Sequence, residues 1–113
     1  MSMKVSTRQV DGVTIVDCSG RITLGEGSVV LRDTVKDLAS KGQKHIVLNL
    51  GDVSYIDSSG IAVLIGAMQS LEHEGGVFVI AGAREAVKMI FESAKLDQYF
   101  RLFPDVESAA AAP

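Results

Sequence analysis

A single cysteine, Cys18, leaves no second thiol from which a disulfide framework could be built. An excess of basic residues is also missing: 11 Lys and Arg stand against 14 Asp and Glu, for a formal net charge of −3. That balance argues against a nucleic-acid groove or an anionic-membrane patch, because either needs clustered Lys and Arg. No apolar run approaches the roughly 20 residues of a membrane span, and the N-terminus lacks a basic start followed by an apolar signal core. The expectation is a reducing, cytoplasmic setting with neither nucleic acid nor membrane as partner. Chemistry-bearing motifs are equally scarce. There is no GxxxxGK followed by Ser or Thr, no GxGxxG after a strand, no GxSxG elbow and no CxxC. His45 and His73 are separated by a strand and a helix and have no carboxylate or thiol cluster beside them, so neither a metal site nor any other cofactor is expected. Cys18 has no basic neighbour to lower its pKa and reads as a small apolar residue.

What remains is an apolar, well-patterned chain. With 113 residues and 47% hydrophobic content, it reads as one globular domain with one core. MKVSTRQV and VTIVDCSG alternate apolar and polar residues around Asp11-Gly12, a two-residue turn signal, so residues 3–19 predict a hairpin. GEGSVVLRDTVKDLASKG places Leu31, Val35, Leu38 and Ala39 on one helix face and ends at Gly42 as a C-cap. HIVLNL and VFVIAG read as buried strands. Between them Ile61, Leu64, Ile65, Met68 and Leu71 keep helical spacing until Gly75-Gly76. AREAVKMIFESAKL is a third helix, YFRLF a short strand-like piece, and an alanine-rich helix follows Pro104-Asp105.

The order β, β, α, β, α, β, α, β, α predicts an α/β fold. Its sheet is mixed and mostly parallel, of four to five strands, with an N-terminal β-hairpin and about four helices. The continuous strands HIVLNL and VFVIAG suit its centre and the alternating hairpin its border. The domain core is expected over about residues 4–108, with 109–113 fraying.

One junction stands out. YIDSSG, residues 55–60, sets Asp57, Ser58 and Ser59 between a strand and a helix. As an ordinary helix start, Asp57 or Ser58 would accept a backbone N–H from the first turn and Gly60 would keep the junction slim. A Ser-based hydrolase is disfavoured, because neither His has a place in a triad and no third group is in evidence. A switch is the remaining reading, and the surrounding residues speak to it. HIVLNLGDVSYIDSSGIAVLIGAM, preceded by SGRIT and followed by GGVFVIAGAREAVKMIFESAKLDQYF, closely resembles the STAS-domain anti-sigma factor antagonists, or anti-anti-sigma factors. The resemblance runs from about Lys4 to Ser108. Its most specific part is the DSSG box, supported by the Leu-Asn-Leu strand before it and the double glycine after the helix.

The resemblance implies a STAS fold over the whole chain, 1–113, and no enzymatic activity of its own. It implies that the serine after the Asp, Ser58, is phosphorylated by a partner kinase that is itself the anti-sigma factor, and that a metal-dependent serine phosphatase reverses the modification. Unphosphorylated, the chain would bind the anti-sigma kinase and release a sigma factor. Phosphate adds about −1.5 to −2 charges at a surface of small and apolar groups, and Asp57 would add like-charge repulsion. Asp57, Ser59 and Gly60 would support the phosphosite. The docking stripe expected along the helix runs through Ala62, Gly66 and Gln69 toward His73. Ile56, Thr23, Leu24 and Glu26 are further candidates for partner contact. Gly66 disfavours a helix by roughly 1 kcal/mol relative to Ala, which suggests crowding there. Many family members carry an acidic residue soon after the second strand, whereas Thr23 and Leu24 stand here before a Gly-Glu-Gly turn. The Thr23 to Gly27 loop therefore either selects the partner or merely leads into the first helix. Ala62 stands where glycine is common. Alternatives kept from other classes are a non-phosphorylated STAS-like accessory module of a transport or lipid-trafficking complex, and a small-ligand-binding STAS module. The chain is expected to be a monomer.

Overall fold

Asp11 and Gly12 both adopt positive φ, 51° and 80°, the conformation that a tight hairpin turn of this hand demands. In this computed structural model, which describes residues 3–112, the turn folds β1 (Lys4–Val10) antiparallel onto β2 (Val13–Ile22), in continuous register from Lys4↔Ser19 to Val10↔Val13. Helices and strands then alternate: α1 (Glu26–Ser40), β3 (His45–Ile56), α2 (Ser58–His73), β4 (Val77–Ala81), α3 (Glu85–Ser93), β5 (Leu102–Phe103) and α4 (Val106–Ala110). This is the element order expected from the pattern of residues. The five strands lie in the order β1-β2-β3-β4-β5, and every pairing after the hairpin is parallel. Each parallel step needs a crossover, and α1, α2 and α3 supply them.

Both faces of the sheet are buried, which is why the inner strands read as continuous apolar runs. On one face Val16, Ile22, Ile46, Leu48 and Ile80 pack against Leu31 and Val35 of α1, Leu64 and Leu71 of α2, and Val87 and Phe91 of α3. On the other, Val13, Ile15, Val47, Val79 and Ala81 pack under Ala109 of α4.

Three expectations need correction. The hairpin is not wholly a border, because β2 is paired on both sides and Val13 to Val16 are all buried; of its two strands only β1 lies at an edge of the sheet. Strand β3 does not stop with HIVLNL but continues to Ile56. Register shifts between Asp17 and Ser19, and between Gly20 and Arg21, let it do so. They break strict alternation, so that Leu50 and Val53, three apart, both reach the core. The alanine-rich end docks instead of fraying at 109. Ala109 is fully buried because its small side chain packs with Ala110 against the second face of the sheet, and Ala112 is also buried. Pro113, the last residue of the expected frayed tail, lies outside the described residues.

Candidate functional site

Strand β3 delivers the chain to α2 with one residue between them. Asp57 has extended backbone (φ −101°, ψ −174°) and acts as the N-cap. Its Oδ1 accepts hydrogen bonds from the Gly60 backbone N–H at 3.0 Å and from the Ser59 hydroxyl at 2.6 Å. Its Oδ2 accepts one from the Leu24 N–H at 3.0 Å, and its own N–H donates to the Ile22 carbonyl at 3.1 Å. Asp57 thus ties the start of α2 to the end of β2 through its backbone N–H and to the loop leading into α1 through its carboxylate. The Ser59 hydroxyl first, then the Gly60 N–H, hold the Asp57 carboxyl down at about 2, against an ordinary value of 3.8. It is therefore ionised under all but strongly acid conditions.

Gly60 makes the junction tight. A Cβ there would stand 2.6 Å from the Ile22 carbonyl oxygen and 2.7 Å from Ile56 Cγ1, closer than any side chain tolerates. Gly27 does the same for α1, where a Cβ would meet the Arg21 carbonyl oxygen at 2.7 Å. Two helix N-termini therefore converge on the last residues of β2 because both approach through glycine.

Ser58, the first residue of α2, differs from both neighbours. It is exposed, and its hydroxyl has no hydrogen-bond partner among the described residues. Of the two candidate caps only Asp57 serves. The Ser58 oxygen stands free at the positive end of a 16-residue helix, where an anion attached to it is favourably placed. Such an anion would not have to displace any bond of Asp57 or Ser59.

The other candidates divide into two groups. Thr23, Leu24 and Glu26 lie on the same edge as the DSSG box. The Thr23 carbonyl accepts from the Ser28 N–H at 3.0 Å, Glu26 is the exposed first residue of α1, and Leu24 is 82% exposed. Ala62, Gly66 and Gln69 are exposed along α2, and the Gln69 side-chain amide donates to the Tyr99 hydroxyl at 3.2 Å. Two expectations fail. Ile56 is 1% exposed and packed against the Gly60 turn, because it ends β3 on the core-facing side, and it cannot touch a partner directly. Gly66 is not crowded: a Cβ added there would meet nothing within 4 Å. Met89 went unnoticed in the sequence. It is 55% exposed on α3 and lines a shallow cleft with Ile61, one turn beyond Ser58. Its signal was there, because Val87 and Phe91 face the core and leave Met89 outward.

His73 stands at the far end of α2 and His45 at the far end of β3, so neither can serve Ser58 as a base. Burial first, then the nearby Asp17 carboxylate, push the Cys18 thiol up to about 12, so it stays protonated at neutral pH. Among the described residues no group of three or more His, Cys, Asp or Glu is placed to hold a metal ion. No helix among them is long and apolar enough to cross a membrane.

The fold and the strand-to-helix box together define a class. The chain belongs to the STAS domain family, whose model matches residues 4–109. Within it the resemblance is to regulators of sigma factors. The chain is 28% identical over 92 residues to the anti-sigma-B factor antagonist of Bacillus subtilis, an alignment covering 81% of this chain and 83% of that protein. It is 24% identical over 104 residues to the anti-sigma F factor antagonist of Paenibacillus polymyxa, covering 92% and 86%. The crystal structure of an anti-sigma factor antagonist from Mycobacterium paratuberculosis superposes with a TM-score of 0.86 at 23% identity, covering 96% of this chain and 92% of that one. That likeness establishes the shared fold.

Proposed function

We propose that this protein is an anti-sigma factor antagonist whose free Ser58 hydroxyl is its switch. In the unmodified state the N-terminal face of α2 binds an anti-sigma factor that is also a serine kinase, so that a sigma factor is released. Transfer of a phosphoryl group to Ser58 ends that binding, and a serine phosphatase restores it. The chain acts as substrate and ligand of other proteins and carries out no reaction itself. One observation carries the reading: in a turn where Asp57 and Ser59 are tied to each other, Ser58 alone has a hydroxyl both exposed and unpartnered. The family resemblance supports the same residue.

The electrostatics favour release over unfolding. Phosphate at Ser58 sits at the helix N-terminus, which tolerates an anion. A partner seated against Leu24, Ala62 and Met89 would have to desolvate about two negative charges next to ionised Asp57. The binding surface is then lost while the fold is kept. In vitro phosphorylation by the co-purifying kinase, mapped by mass spectrometry, tests the assignment. Phosphate is expected on Ser58, abolished in Ser58→Ala and retained in Ser59→Ala. Phosphate on Ser59 would overturn it.

A further inference from the structure

Helices α1 and α2 lie side by side over the same face of the sheet, and a groove of about 770 Å³ runs between them. Small-molecule sites typically enclose roughly 300–1,000 Å³. The floor of the groove is apolar, formed by Val35 of α1 and Val63, Ala67 and Leu71 of α2. Its α1 rim is cationic. Arg32 and Lys36, four residues apart and hence on one helix face, both line the groove and both are exposed. Among the described residues Arg32 makes only a long 3.5 Å contact with its own neighbour Asp33, while Asp37 is occupied by Lys41 at 3.0 Å. Lys36 has no ion-pair partner among the described residues. The α2 rim carries no charge until Glu74 at its end.

We propose that this groove binds a single-chain acyl carboxylate, with the alkyl chain along Val35, Val63, Ala67 and Leu71 and the carboxylate between Arg32 and Lys36. Removing the chain from water drives binding. The cations on one rim set its orientation and select an anionic head, and the aliphatic stems of Arg32 and Lys36 extend the apolar wall while their charges stay hydrated. Charge confined to one rim above an apolar floor suits one anionic head group followed by an apolar tail. The site does not depend on Ser58, and it holds or fails whatever the role of that residue.

The test is a titration of the ¹⁵N-labelled full chain with laurate below its micelle concentration, beside dodecyltrimethylammonium as the cation of matched chain length. Saturable amide shifts are expected within residues 32–39 and 62–71, with laurate binding at least about tenfold more tightly than the cation. The double variant R32E/K36E, altered only at exposed positions, should keep the native circular dichroism and lose about tenfold in laurate affinity. Ala67→Leu should weaken binding by filling the floor. Equal affinity for the two head groups, shifts spread over other surfaces, or no response to the double charge reversal would overturn the proposal. So would shifts of these amides by an acidic amphipathic peptide but not by laurate, which would assign the groove to a protein partner.

Discussion

Two helices in this chain begin with the same device and end up with different surfaces. At α4, Asp105 caps by accepting from the Ser108 N–H at 2.8 Å, and the Ser108 hydroxyl turns back to the Asp105 carbonyl at 3.2 Å. That turn is closed on itself. At α2, Asp57 caps in the same way through the Gly60 N–H but also takes the Ser59 hydroxyl and, from another loop, the Leu24 N–H. The second turn therefore couples three segments of chain, and it leaves one hydroxyl, that of Ser58, with nothing to do in the fold. A cap alone explains the Asp of the first turn. It does not explain an unengaged serine at the most strongly tied helix start in the molecule.

The comparison can be broken at its tightest point first. Gly60→Ala should destabilise the protein by on the order of 1–3 kcal/mol, since the new methyl collides with backbone at Ile22 that cannot give way as a side chain would. Denaturant unfolding measures it, and a neutral result would mean that the α2 start is not pressed against β2. The acid limb of the stability curve comes next. Both caps have carboxyls held below 3.8, so each contributes stability present above that value and lost as pH falls. For Asp57 the loss should run from about 4 down to about 2. Because the Ser59 hydroxyl is the largest cause, Ser59→Ala should raise the Asp57 midpoint toward 3.8 in a carboxyl NMR titration. An unchanged midpoint would place Ser59 elsewhere.

Smaller effects sharpen the contrast. Gly66→Ala should stabilise the fold by about 0.5–1 kcal/mol, since the helix gains propensity and the methyl meets open space. If the same variant weakens binding to the proposed anti-sigma partner, the glycine serves a surface and not the fold. Ser58→Ala should change stability by less than about 0.5 kcal/mol, because no hydrogen bond is removed. A larger loss would show that Ser58 shares in the cap after all.

Much of this was legible in the residues. Helical spacing in Leu64, Met68 and Leu71, and unbroken apolar runs in HIVLNL and VFVIAG, fixed the elements and their order, because periodicity reports which side of an element is buried. The box itself could be quoted from the sequence. What was hidden depended on contacts distant along the chain. Nothing in YIDSSG says that Leu24, 33 residues away, donates to Asp57, or which of Asp57 and Ser58 is the cap. Ile56, a candidate for partner contact beside Asp57 in the sequence, is turned inward by the strand direction. Gly66 suggested crowding because a helix glycine usually marks a close approach, and only the tertiary arrangement shows that the space is empty. The irregular β2–β3 register, which carries β3 on to Ile56, is marked by Gly20 (φ 102°) in β2 and Gly51 in β3, isolated strand glycines that are consistent with a bulge but do not say how far the strand continues.

The most direct test of the proposed switch is a calorimetric titration of the anti-sigma factor that co-purifies with the chain against unmodified protein, Ser58→Ala, and protein phosphorylated stoichiometrically on Ser58. The account predicts closely similar affinity for the first two, and a loss of at least about tenfold for the third with unchanged circular dichroism. Equal affinity for the phosphorylated and unmodified forms would contradict it and return Ser58 to an idle position in a helix cap.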